Sequence, residues 1–297
     1  MNSIIQFILL VILVLLACTK ITLQGYALKK YAQTKTENTI FNIIFFLFIA
    51  IFMVLLFRVT AVDKVTVILA VAAAVTSVIY QVTYGLALTS GPVSMTSLLV
   101  SMNIFITIIF GIVFYKEKVY TSYIIGTVLL VVSMILNRNK SGESVKGNKK
   151  WSLLVILSTV SCGLASCIMK YYSLLPIENK STSTFLVILY LSGSLLIFAG
   201  LIIKNKPSEA VKAFKGLKPG IVLFSALTGL SLCLYQKLNM YCMENIDATY
   251  MFPIHSGLQA LFMTIIGIVF FKDRLSKRQK VSLAICIASI ILMNTKF

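Results

Sequence analysis

Charged side chains are few in this chain, and acidic ones are fewest. Of 297 residues, 12% are charged and 59% hydrophobic, whereas a soluble domain carries about 25% charged residues. That deficit leaves too little polar surface to face water on all sides, so lipid is the solvent for most of the protein. The nine acidic residues, Glu37, Asp63, Glu117, Glu143, Glu178, Glu209, Glu244, Asp247 and Asp273, all fall in loops or at the ends of apolar runs. A proton-driven pump for cationic drugs needs a carboxylate within the membrane, and this distribution speaks against that class. Histidine occurs once, at His255, and the six cysteines, Cys18, Cys162, Cys167, Cys233, Cys242 and Cys286, form no CxxC. They supply neither a metal ligand set nor a disulfide framework, and read as small apolar residues at helix contacts. GxxxxGK[ST], HExxH and GxSxG are missing as well, so neither ATP hydrolysis nor these hydrolase chemistries is expected. The expectation is a protein that is not an enzyme and takes no cofactor and no metal.

What is present is a series of ten apolar runs, roughly 3–28, 38–58, 65–88, 92–115, 119–137, 151–175, 182–203, 219–242, 248–271 and 277–294. A membrane-spanning helix needs about 17–25 residues. Only helices are expected to span here, because lipid leaves no partner for open backbone groups. The reading is an all-α integral membrane protein with ten transmembrane helices. LLAC (15–18) is similar to a lipoprotein cleavage box, but MNSIIQ carries no basic segment before it and nine further runs follow, so it belongs to the first span. The longest loop, RNKSGESVKGNKK (138–150), is polar and falls at the midpoint. It divides the chain into 1–140, a linker at 141–150, and 151–297. Net charge is +18, yet the basic residues sit in short loops, as membrane proteins mark one face. No basic stripe interleaved with aromatics indicates nucleic acid.

The two halves repeat. GIVFYKEK (111–118) recurs as GIVFFKDR (267–274), about 156 positions on. At the same offset Met95 matches Met251, Gly126 stands opposite Ser282, and Ser133, Ile135 and Leu136 match Ser289, Ile291 and Leu292. Tyr80-Gln81 aligns with Tyr235-Gln236 after a one-residue gap, and Lys20 with Lys170 near an offset of 150. Each half holds five spans. Five is odd, so the second half enters the membrane the other way up, giving a 5+5 inverted repeat. Such repeats are the signature of secondary transporters.

This pattern resembles the drug/metabolite transporter (DMT) superfamily, and within it the ten-helix EamA-like transporters. The resemblance rests on the fourth helix of each half, which in that family ends in a small-residue apolar stretch and commonly Gly-Glu. Here Tyr115-Lys116-Glu117 and Phe271-Lys272-Asp273 keep the acidic residue but not the glycine. The resemblance implies helices around a central cavity, lined mainly by the first, third and fourth helix of each half.

Several polar side chains enter the spans. Lysine at mid-membrane costs about 2.5–3.5 kcal/mol, so Lys20 and Lys170 face either a cavity, where they attract a substrate carboxylate or phosphate, or the helix ends and interface. Tyr80-Gln81 and Tyr235-Gln236, with Tyr84 and Asn239 one turn on, suit a polar organic solute; they also suit bonds between helices. Asn103 aligns with Gln259, and His255 shares a face with Gln259. His255 titrates near neutrality in water and is a candidate to carry a coupling proton, or else an ordinary packing residue. Pro92 and Pro253, early in the fourth helices, either loosen them for gating or occupy an ordinary N-terminal proline position.

The function expected is a secondary transporter of a small polar metabolite, such as an amino acid or another carboxylate- or phosphate-bearing solute, working by alternating access as a metabolite exporter or importer. A non-transporting scaffold or membrane enzyme is the alternative. The expected partners are a small-molecule substrate and the lipid bilayer of a bacterial plasma membrane; a homodimer is left open. The loops at 29–35, 138–150, 204–218 and 272–280 hold eighteen of the 27 basic residues, and the opposite face six. The charge bias thus puts both termini outside, while the resemblance implies termini inside.

Overall fold

The computed structural model describes residues 3–32, 34–60, 62–90, 96, 99–100, 102–136, 149–177, 180–204, 214, 216–271 and 277–294. Among them lie ten long helices: α1 (Ser3–Lys30), α2 (Lys35–Leu56), α3 (Lys64–Ser90), α4 (Asn103–Tyr115), α5 (Thr121–Leu136), α6 (Lys149–Leu174), α7 (Thr182–Lys204), α8 (Pro219–Asn245), α9 (Ala248–Phe271) and α10 (Lys277–Asn294). Each corresponds to one apolar run. Six of them, α1, α2, α3, α6, α7 and α8, are long and apolar enough to cross a membrane, and shorter apolar helices lie at Asn103–Tyr115, Thr121–Ser133 and Lys280–Asn294. Large apolar side chains stand exposed along the helices, Leu55 at 71% and Ile203 at 86%, as expected where lipid is the solvent.

The linker is outside the described residues except for Lys149 and Lys150, which open α6. Pro92 and the second junction, Lys272-Asp273-Arg274, are outside them too, whereas Pro253 lies inside α9.

Local chemistry sets some helix ends. α2 starts on a capping box: Glu37 N–H donates to Thr34 Oγ1 at 3.2 Å, and Thr34 N–H donates to Glu37 Oε2 at 3.0 Å. Both donors would be orphans at a bare helix start. α4 stops at Lys116, whose φ of 51° and ψ of 36° are left-handed. It is the one non-glycine residue with positive φ among those described. Glu117 N–H then reaches back to Gly111 O at 3.3 Å, and Lys116 N–H turns to the same carbonyl, one that the helix end would otherwise leave open.

The chain forms two compact units, and neither is a sequence half. The first holds 1–15, 79–170 and 242–297; the second holds 16–78 and 171–241. Each therefore gathers helices from both repeats. In the first unit α5 packs on α10 and α4 on α9; in the second α2 packs on α7. Every one of these pairs joins a helix to its own counterpart.

The α5–α10 seam shows the geometry. Ser133 Oγ donates to Ser282 O at 2.8 Å, and Ser282 Oγ donates to Ser133 O at 2.8 Å. Further along, Ser289 Oγ donates to Gly126 O at 2.6 Å. Position rises along α5 as it falls along α10, so the helices are antiparallel. Gly126 and Ser282 are counterparts, as are Ser133 and Ser289. The contact of Ser133 with Ser282 is therefore the same contact as Ser289 with Gly126, seen from the other repeat. Such an isologous contact implies a two-fold axis crossing the pair, and an inverted repeat requires that relation. Small residues make it feasible, because they let backbones approach. α2 and α7 are likewise antiparallel: Ser194 Oγ donates to Ile43 O at 3.1 Å, and Thr60 N–H donates to Thr184 Oγ1 at 3.1 Å.

In a background without the six native cysteines, Ser133→Cys with Ser282→Cys should form a disulfide on oxidation, because the two Oγ atoms lie 3.2 Å apart. Ser133→Cys with Ser289→Cys should stay reduced. The reverse pattern on a non-reducing gel would mean parallel helices.

Candidate functional site

The left-handed turn at Lys116 delivers Glu117 to the start of α9. Its Oε1 accepts from Ala248 N–H at 2.8 Å and its Oε2 from Thr249 N–H at 2.9 Å. These are donors that a helix N-terminus leaves open, and the helix dipole favours a carboxylate there. Gly111, a turn back on α4, leaves room for this. A Cβ there would lie 2.8 Å from Glu117 Oε2 and 3.2 Å from Ala248 Cβ.

Lys170, near the end of α6, completes the arrangement. Its Nζ donates to Met243 O at 2.6 Å and Ile246 O at 2.8 Å, and lies 3.7 Å from Glu117 Oε1. The two side chains are only 5% and 6% exposed. The Tyr115 ring centroid is 6.0 Å from Nζ. One ammonium thus caps the C-terminal carbonyls of α8, and one carboxylate caps the N-terminal amides of α9. Together they bind the ends of α4 and α6 to the α8–α9 connection. Of the two roles open to Lys170 on sequence, binding helix ends is the one these bonds describe.

The other candidates of the first unit form separate groups. Tyr80 and Tyr84 stack with centroids 5.7 Å apart. They pack against a buried cluster of Ala87, Val100, Trp151 and Val155. Trp151 Nε1 donates to Thr96 Oγ1 at 2.9 Å, so the indole is both packed and satisfied. Asn103 Nδ2 donates to Cys162 Sγ at 2.8 Å, bringing α4 to α6. Gln81 on α3, and His255 and Gln259 on α9, are half-buried.

In the second unit Gln236 is the centre. Its Nε2 donates to Tyr190 OH, and its Oε1 accepts from Asn239 Nδ2 at 3.3 Å. Tyr190 stands edge-on to Phe46 at 5.2 Å. Tyr235 is half-buried on the same helix. Lys20 is half-buried on α1, with Nζ 5.9 Å from the Phe45 ring centroid, a cation–π distance. The matched lysines of the two repeats therefore have different surroundings: Lys170 meets carbonyls and a carboxylate, Lys20 an aromatic face.

Sequence reasoning left three residues out of the site: Glu117, Tyr190 and Lys237. Glu117 carried a signal, being the acidic member of the repeated junction. Lys237 carried a weaker one, as a third lysine within a span. Tyr190 had none, since a tyrosine in an apolar run looks like packing.

With this geometry in view, the comparisons with known proteins are direct. The EamA-like transporter family matches the chain twice, over residues 8–138 and 149–295. The chain belongs to that family, and is a multi-pass membrane protein of a transporter family within the drug/metabolite transporter superfamily. A protein of known crystal structure shares the fold, with a TM-score of 0.71 over 97% of this chain and 97% of its own, at 13% identity. No curated protein matches the chain.

Two measurements check the cluster at Glu117. Glu117→Ala and Lys170→Met should each lower unfolding stability in bicelles by about 3–5 kcal/mol, the cost of stranding one buried charge. The double variant should lose clearly less than the sum; strict additivity would mean the two groups do not interact. Lys116→Gly should raise stability by about 0.5–1 kcal/mol, the relief of left-handed strain less the added freedom of the unfolded chain.

Proposed function

We propose that this protein is a secondary transporter that carries a small polar metabolite across the bacterial plasma membrane by alternating access. The solute class is an amino acid or another carboxylate- or phosphate-bearing molecule. The observation that carries the reading is the self-reciprocal seam of α5 and α10, taken with membership of a transporter family. A repeat paired antiparallel with its own twin can exchange conformations with it, which turns one access state into the other. No Walker motif occurs in the sequence, so a gradient or exchange drives the cycle.

The polar side chains within each unit are the candidates for solute contact. In the first unit these are Tyr80, Gln81, Tyr84, Asn103, His255 and Gln259, with Lys170 of the same unit holding helix ends. In the second they are Lys20, Tyr235, Gln236 and Asn239. Tyrosine offers a flat apolar wall with one hydroxyl, and glutamine both donates and accepts. A mixed set of this kind fits a polar organic molecule better than an inorganic ion.

The test is counterflow in liposomes containing purified protein, with labelled amino acids, dicarboxylates and sugar phosphates as the panel. At least one labelled solute should accumulate transiently and saturably against its unlabelled form. Gln236→Ala should cut that flux about tenfold, as expected for one lost buried hydrogen bond. Protein-independent leakage of every solute, from vesicles shown to hold folded protein, would exclude the carrier reading.

A further inference from the structure

Lys237 is explained neither by the repeat nor by the cluster at Glu117. It lies on α8, eight positions before the helix end at Asn245, about 12 Å along the axis at 1.5 Å per residue. Its Nζ donates to Thr182 Oγ1 at 2.7 Å and to Ser183 Oγ at 2.8 Å. The Phe57 ring centroid lies 5.4 Å away. The ammonium is thus fixed at a defined place by three elements: α8, the first residues of α7, and the residue that ends α2.

Burial sets this lysine apart from Lys170. Lys170 is 4% exposed and faces a carboxylate. Lys237 and Thr182 are half-buried, while Ser183 is buried. Thr182 opens α7 and Phe57 ends α2, so the half-buried ammonium lies near one end of these helices, where a lysine turns to water or a solute rather than to lipid. The hydroxyls add to this. Each accepts from the ammonium and keeps its own proton to donate. A carboxylate beside the ammonium would then receive charge-assisted hydrogen bonds. Gln236 and Asn239, the polar pair on the same helix, stand one position before and two after Lys237.

We propose that Lys237, with the hydroxyls of Thr182 and Ser183, is the anchor for the carboxylate of the transported solute. This rests on the transport reading above and deepens it. The assignment makes Lys237 a specificity residue: it selects carboxylates over their neutral counterparts, while the amide and phenol groups nearby read the remainder of the solute.

The experiment is thermal-shift titration of purified protein in nanodiscs. The probes are L-amino acids and short dicarboxylates, each beside its carboxamide, with liposome counterflow run on the same compounds. At least one carboxylate should stabilise the wild type where its carboxamide does not. Lys237→Met should weaken that binding about 10- to 100-fold, the effect of losing a hydrogen bond to a charged group. Lys237→Arg should retain most of it. Thr182→Val, which leaves the lysine in place, guards against a misfolded Met variant and should also weaken carboxylate binding. Unchanged carboxylate affinity in Lys237→Met overturns the assignment. So does a wild type that binds only solutes lacking a carboxylate, and counterflow of those same solutes would leave the transport reading standing. A folded wild type that neither binds nor carries any compound ends both.

Discussion

A carboxylate removed from water must find donors or an opposite charge, or give up its own, and in this protein Glu117 finds three such partners. Two are backbone amides that α9 cannot pair internally, and the third is the ammonium of Lys170, whose other bonds go to carbonyls that end α8. Each group answers a need that the others create. The amides would be orphaned without the acid, the carbonyls are met by the base, and neither charge would be tolerated alone at 5–6% exposure. The turn between α8 and α9 depends on this arrangement. So does the left-handed Lys116, held at positive φ because the carboxylate one residue on must face α9. The family resemblance had glycine before the acid; the backbone conformation at Lys116 is the physical reason a glycine suits that place.

Pairing of helices with their counterparts is the second organising feature. The seam at α5 and α10 uses serine hydroxyls on backbone carbonyls, and α2 and α7 use Ser194 and Thr184 in the same way. Between helices in lipid, apolar burial gives little drive, so close packing of small residues and such bonds carry the association. The compact units consequently cut across the repeats. Four helices, α1, α3, α6 and α8, pass from one unit into the other along the chain.

Much of this was legible in the sequence. The ten apolar runs fall on the ten helices, with ends within about three residues, because the thickness of a bilayer fixes the length of a span. For the fourth, the described helix begins at Asn103; Thr96, Leu99 and Val100 are helical too, and the rest of 91–101 lies outside the described residues. The repeat could be seen because KEK and KDR are rare letters in a small alphabet. The targets of polar side chains could not. Glu117 meets amides 131 and 132 positions away, and Lys170 meets carbonyls at 243 and 246. Backbone groups carry no residue-type signal, so no pattern of letters marks them as partners. Compact units were equally hidden, since they depend on which helix faces which.

The α5–α10 seam has a mechanical consequence. Two of its hydrogen bonds, Ser133 Oγ to Ser282 O and Ser289 Oγ to Gly126 O, are images of each other. The third, Ser282 Oγ to Ser133 O, has no image, because Gly126 carries no hydroxyl. Were the repeats to trade shapes as proposed for transport, the first two bonds would map onto each other and only the third would have to be remade. The seam would then act as a fulcrum, the part of a lever that bears load while staying still.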